Sequence, residues 1–217
     1  MKKIKFDLKK ELPLIFIVIA VFAISMYFYP ELPDNIPTHW NFKGEIDGYS
    51  GKLAGAFTIP GINLIMYVMF LFMPVLDPKR ENYRLFEGTY LYFRYLFHIF
   101  FAGLQILIIM AALGYNFDTG KWVILGTLLL FMLMGNVMGR LKHNYFVGIK
   151  TPWTLASEEV WIKTHRLGAV LWTCGGLIGA ILTVLNINLG WMFIAILIFI
   201  TLIPAGYSYI LFNRLKK

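Results

Sequence analysis

Residues 144–166 read NYFVGIKTPWTLASEEVWIKTHR. These 23 positions carry Gly148, Pro152, Trp153, Trp161, Glu158, Glu159 and His165, with the bases Lys150, Lys163 and Arg166. Ordinary connections are shorter and plainer. What kind of connection this is depends on its flanks, and both flanks are long apolar runs.

Of the 217 residues, 59% are hydrophobic and 15% charged, where a soluble domain carries about 25% charged residues. Apolar stretches able to cross about 30 Å of hydrocarbon at 1.5 Å per residue fall at 12–29, 54–75, 91–113, 122–139, 167–185 and 191–212. The fold class is therefore an all-α membrane protein with six transmembrane helices. The first and fourth runs are the shortest, and polar flanks support each as a true span.

Charge placement orients the spans. Lys2, Lys3, Lys5, Lys9 and Lys10 precede the first span, Lys79, Arg80 and Arg84 follow the second, and Arg94 opens the third. Arg140, Lys142, Lys150, Lys163 and Arg166 separate spans four and five, and Arg214, Lys216 and Lys217 end the chain. All of these share one side, leaving Lys43, Lys52 and Lys121 on the other. The positive-inside rule then places both termini in the cytoplasm of a multi-pass plasma-membrane protein. The net charge of +8 is a topology signal with attraction to anionic membrane lipid. Because the bases track span ends and form no recognition element, direct nucleic-acid binding is not expected.

The first apolar run is longer than a signal-peptide core, and AISMYFYP at 23–30 lacks a small-x-small cleavage pattern, so an uncleaved first helix is expected. The single Cys174 lies inside span five. It allows no disulfide framework and no cysteine-based metal site.

The exterior loop 31–52 reads ELPDNIPTHWNFKGEIDGYSGK. Pro33 and Pro37 impose extended backbone, and Lys43-Gly44 is a candidate tight turn, so a small extracellular lid is expected. His39 and Asp47 form a candidate ligand pair there, too few donors to argue a metal, while Trp40 and Tyr49 suit an interface. LPDNIPTHWNFKGEIDGYSGK resembles the signature of a bacterial membrane domain of unknown biochemical role, carried by His39, Trp40, Asn41, Gly44, Asp47, Tyr49 and Lys52.

Span two contains Pro60, Gly61 and Asn63, which read as a kinked packing helix rather than an unwound ligand site. The loop after it, DPKRENYRLFEGTY, is mixed in sign and should fold on the membrane surface. On span three, Arg94, His98 and Gln105 lie along one helical stripe. Polar groups at such depth face protein or water. Asn136 and Arg140, four apart at the end of span four, are the expected partners of that stripe near the inner leaflet.

In the central stretch, Gly148 and Thr151-Pro152 break the helix of span four. Thr154 or Ser157 can cap a new helix, with Glu158 and Glu159 in its favourable first turn. Glu159, Lys163 and Arg166 form an ion-pair ladder on one face. Glu158, Trp161, Ile162 and His165 share another face that reads as a docking surface. The plainer alternative is an amphipathic interfacial helix anchored by Trp153 and Trp161.

This stretch closely resembles the hallmark motif of the SdpI family of bacterial membrane proteins: Asn144 and an aromatic pair, Gly148-Ile149-Lys150, Thr151-Pro152-Trp153-Thr154-Leu155, Glu158, Trp161 and Thr164-His165-Arg166. Lys150 replaces the commoner arginine, a point charge in place of a planar fork. The resemblance implies an immunity protein, usually of a Gram-positive bacterium, that guards its producer against a secreted killing peptide met at the outer face. It also implies, for some members, signalling by a cytoplasmic transcriptional regulator held at the inner face. On this view residues 1–90 form an N-terminal region with spans one and two, and 91–217 an SdpI-like four-helix region, with Arg94, His98, Gln105, Asn136 and Arg140 coupling lid to motif.

Two other classes compete. A membrane-embedded metal-dependent hydrolase would draw on His98, His143, His165 and Glu158. However, Glu158 and His165 are about 10.5 Å apart along a helix, and no His-Glu-x-x-His occurs. A small transporter would need an internal repeat, which the halves do not show. No cofactor or metal is expected. Gly175, Gly176 and Gly179 allow close helix approach, within one chain or between two.

Overall fold

The computed structural model describes residues 7–41, 45–187 and 189–216. Among the described residues, seven α-helices run in order: α1 Leu8–Phe28, α2 Lys52–Leu76, α3 Glu87–Ala112, α4 Thr119–Met138, α5 Pro152–Ala156, α6 Glu158–Val184 and α7 Leu189–Leu215. Six are long and apolar enough to cross a membrane, and α5 is the exception. The six-span expectation holds, including the two shortest runs, which extend to full helices. α2 is continuous through Pro60 and Pro74 and is not unwound.

α1, α2 and α3 pack together at one side of the bundle, while α4, α6 and α7 pack at the other, and α3 meets α4 between them. The second group depends on glycine. A Cβ on Gly176 would lie 2.6 Å from the Leu128 carbonyl oxygen of α4, and one on Gly175 would lie 2.7 Å from Ile200 of α7. Gly179 meets both Leu128 and Ile196. The small-residue face of the fifth span is thus used within one chain, bringing backbones close enough for dispersion contacts to act where the hydrophobic effect does not separate helix from lipid.

Between α1 and α2 the chain forms an antiparallel hairpin, β1 Asn35–Trp40 and β2 Ile46–Gly51, pairing Asn35 with Gly51, Pro37 with Tyr49 and Trp40 with Ile46. Irregular register around His39 bends it. Asn41 and Glu45 close the loop end, each backbone N–H being bonded within that pair. The expected turn at Lys43-Gly44 lies outside the described residues. Ile36 and Leu32 are buried against Ala56, Ile108 and Ile109, and Gly55 leaves room for Ile36 because a Cβ there would come within 2.6 Å of it. The hairpin is therefore sealed over the ends of α2 and α3 as a packed lid.

At the opposite end, residues 77–86 run through a 3-10 segment, Arg80–Leu85, and pack Tyr83 and Phe86 with Phe70, Tyr90, Phe93, Leu141, Val147 and Trp161. This cluster joins the two helix groups beneath the stretch 139–157.

Candidate functional site: the buried clasp of residues 141–165

The polypeptide leaving α4 must turn twice before α6, and buried side chains in place of solvent satisfy its backbone. Asn144 is fully buried. Its Oδ1 accepts the N–H groups of Phe146 and Val147 at 2.9 and 2.7 Å, and its Nδ2 donates to the carbonyls of Lys142 and Val147. Gly148 follows with φ +123°, a region closed to residues with a Cβ. A Cβ there would also run into His165 Nε2.

The reason for that close approach is the next hydrogen bond. Ile149 N–H donates to His165 Nε2 at 2.9 Å, and His165 Nδ1 donates to the Trp161 carbonyl at 2.8 Å. Both ring nitrogens are committed, which fixes one neutral tautomer. Trp161 Nε1 donates back across the loop to the Leu141 carbonyl at 3.0 Å. Trp161 and His165 are each 0% exposed, and their rings stack at 4.0 Å. The His143 ring lies 5.1 Å from Trp161, tilted to it, and stacks with Tyr145 at 6.2 Å.

Thr151 caps α5, with Thr154 in a reciprocal capping box. Thr154 Oγ1 also donates to Ile149 O at 2.9 Å, and Thr151 shares a hydrogen bond with Ser208 of α7. Ser157, rather than Thr154, caps α6. Lys150 Nζ donates to the Phe146 carbonyl, a single contact that its ammonium can make as well as an arginine fork could. Trp153 packs on Tyr209 of α7.

A third strand of the clasp comes from residues 77–83. Asp77, buried at the end of α2, accepts Tyr145 N–H at 2.8 Å and the Tyr83 hydroxyl at 3.1 Å on one oxygen, and Lys79 N–H on the other. Lys79 Nζ donates to His143 Nδ1 at 2.9 Å and Asn82 to the His143 carbonyl at 2.7 Å. Burial first, then the Lys79 ammonium, hold the His143 pKa below its ordinary value. Burial first and Asp77 second push the Tyr83 hydroxyl far above its own.

The chain is 30% identical over 204 residues to the immunity protein SdpI of Bacillus subtilis (strain 168), covering 93% of each chain. The SdpI/YfhL protein family matches residues 140–208, and a domain of unknown function, DUF1648, matches residues 16–64. The chain belongs to the SdpI/YfhL family. No solved structure matches it.

The SdpI/YfhL match covers the clasp but stops short of Asp77, Lys79, Asn82 and Tyr83, and the match at 16–64 ends before them too. Sequence reasoning missed these four. The mixed sign of their loop is a local pattern, whereas its partners in the clasp lie more than 60 residues away.

The docking face expected from Glu158, Trp161, Ile162 and His165 is corrected. Trp161 and His165 point inward, leaving Glu158 and Ile162 exposed, because both aromatic rings are needed to fill and hydrogen-bond the loop interior. For the same reason Trp161 is no interfacial anchor. Lys163 pairs with Glu159 at 2.6 Å as the ladder predicts.

The polar stripe on α3 exists, with different partners. Arg94 binds Glu11 of α1 through Nη1–Oε1 at 2.7 Å and Nη2–Oε2 at 2.5 Å, both residues being buried. His98 Nδ1 meets Asn63 Oδ1 of α2, and Gln105 Nε2 donates to Ser25 of α1 and to the Ala56 carbonyl. Asn136 and Arg140 are exposed and do not serve as partners to this stripe.

In the lid, His39 Nδ1 and Asp47 Oδ1 meet each other at 2.5 Å, and both side chains are exposed. Tyr49 is exposed, Trp40 packs on the lid cluster, and Lys52 donates to Pro30 O and lies over Tyr29. His98, His143, His165 and Glu158 do not gather into a metal site. Among the described residues no three His, Cys, Asp or Glu side chains converge.

Proposed function

We propose that this protein is a plasma-membrane immunity protein that protects its cell against a secreted antimicrobial peptide. The observation that carries this reading is the similarity to the immunity protein SdpI over 93% of both chains, which takes in both the lid and the clasp. The lysine-rich chain start and the bases around 140–166 support a cytoplasmic clasp and cytoplasmic termini, with the lid outside. His39, Asp47 and Tyr49 offer the peptide an exposed polar-aromatic surface there. α3 supports the coupling, since it touches the lid through Ile108 and Ile109 and the clasp cluster through Tyr90 and Phe93.

In this account the clasp presents a fixed rim of Arg140, Lys142, Lys150, Glu158, Ile162 and Arg166 toward the cytoplasm, all exposed. That rim is where a cytoplasmic transcriptional regulator would dock. Asn144, Gly148, Thr154, Trp161 and His165 would act by holding the rim in place, not by touching the partner.

The test is survival of a sensitive bacterium expressing the protein, challenged with secreted killing peptides and compared with cells lacking it. Protection by membrane-inserted protein is expected. Equal killing of both strains by every peptide tried contradicts the proposal.

A further inference from the structure

The three helices beside the lid bury more polar atoms than they pair. Arg94, His98 and Gln105 of α3 and Asn63 of α2 are each 5% exposed or less. Each makes at least one good hydrogen bond, yet Arg94 Nε, Asn63 Nδ2, His98 Nε2 and Gln105 Oε1 have no hydrogen-bond partner among the described residues. An unpaired buried polar atom costs about 1–3 kcal/mol, and lipid supplies no partner.

Two of these four side chains meet directly, and Tyr67 links them to a third. Asn63 bonds His98, and Tyr67, one turn along α2, lies 5.9 Å from the His98 ring and 5.7 Å from the Arg94 guanidinium. Gln105 continues the same α3 stripe two turns further on.

The donor and acceptor balance identifies the ligand class. With His98 Nδ1 donating to Asn63 Oδ1, Nε2 is left as an acceptor, as is Gln105 Oε1. Arg94 Nε and Asn63 Nδ2 are donors. A cation would be repelled by Arg94 and would find only His98 Nε2 and Gln105 Oε1, two helical turns apart, and an anion would leave both acceptors bare. A small amphoteric ligand satisfies both kinds, and buried waters typically make about three such bonds.

We propose that the seam between α1, α2 and α3 is a hydrated site inside the membrane, with ordered water bound to His98 Nε2 and bridging it to the neighbouring donors. The charged neighbours of this site are Arg94 and its counter-ion Glu11, so the seam is neutral and holds water without recruiting an ion.

The four histidines supply the test and its controls. Solid-state NMR on histidine-15N-labelled full-length protein in proteoliposomes, with magnetisation transferred from water, reads hydration at each imidazole. Loss of one signal in each of the His39→Gln, His143→Gln and His98→Gln variants assigns three of the four histidines and leaves the remaining signal to His165. His39 is exposed and should be wet. His165 is buried with both nitrogens bonded to protein and should be dry. The proposal predicts transfer to His98 within about twofold of His39, with Nε2 unprotonated. Transfer at the His165 level, or a proton on Nε2, overturns it.

Discussion

His165 Nε2 accepts the backbone N–H of Ile149 at 2.9 Å, and Gly148, immediately before, is the glycine whose positive φ lets the chain reach it. Gly148→Ala should add roughly 1–2 kcal/mol of backbone strain and displace the imidazole. Thermal unfolding in detergent should show a lower Tm. Gly139→Ala is the control, since a Cβ at Gly139 meets only Ala169, at 3.9 Å. An unchanged Tm for Gly148→Ala would show that the clasp does not depend on this turn.

Trp161→Phe keeps most of the ring stack but removes the bond from Nε1 to the Leu141 carbonyl. The expected loss is about 1–3 kcal/mol from a buried carbonyl left unpaired. Hydrogen exchange should rise first in residues 141–149, where the released backbone lies. Exchange unchanged there would remove Trp161 from the clasp.

The Glu11–Arg94 pair is buried on both sides. Arg94→Met leaves a carboxylate alone in a low-dielectric interior and should cost about 3–5 kcal/mol, whereas the double variant Glu11→Gln/Arg94→Met should recover much of that. A double variant no more stable than Arg94→Met would mean the two side chains are not coupled.

How much of this was legible in the sequence follows from distance along the chain. The spans, the lid, the Ser157 cap and the Glu159–Lys163 pair rest on local pattern, and all are present. Arg94 and His98 were visible as expensive residues in an apolar run, but Glu11 was hidden among lysines at the helix start, 83 residues away from its partner. Asp77 and Lys79 were hidden in the same way. Trp161 and His165 are chemistry-bearing residues whose spacing alone suits an outward docking face. Helical spacing shows that two residues share a face but not what that face meets, and here it meets the chain's own loop.

His143 gives the clasp a pH dependence. Its pKa is lowered in the fold, by burial and then by Lys79, against smaller opposing effects of Glu158, the Leu155 backbone and Asp77. The unfolded chain therefore takes up the proton more readily. The stability contribution is complete above the unfolded value near 6.5 and is lost as pH falls below it through the folded value. Protonation also removes the lone pair that accepts Lys79. Tm should fall between about pH 7 and about pH 5, with a shallower fall in His143→Gln. Identical profiles would exclude His143 as the source.

At the lid, Gly55→Val would drive a side chain into Ile36 and lift the hairpin, at a cost of about 1–3 kcal/mol. Peptide protection should drop while the 141–165 region keeps its exchange protection. A fully protective Gly55→Val variant at normal membrane level would argue that the seated lid is not the sensing surface.

The most direct measurement of the central claim is survival of a peptide-sensitive bacterium expressing either the wild-type chain or His165→Ala, at matched membrane levels. The account predicts protection by the wild type and its loss in the variant, because the loop that carries the cytoplasmic rim is no longer held. Equal protection by both would contradict the role given to the clasp, and protection by neither would contradict the immunity function itself.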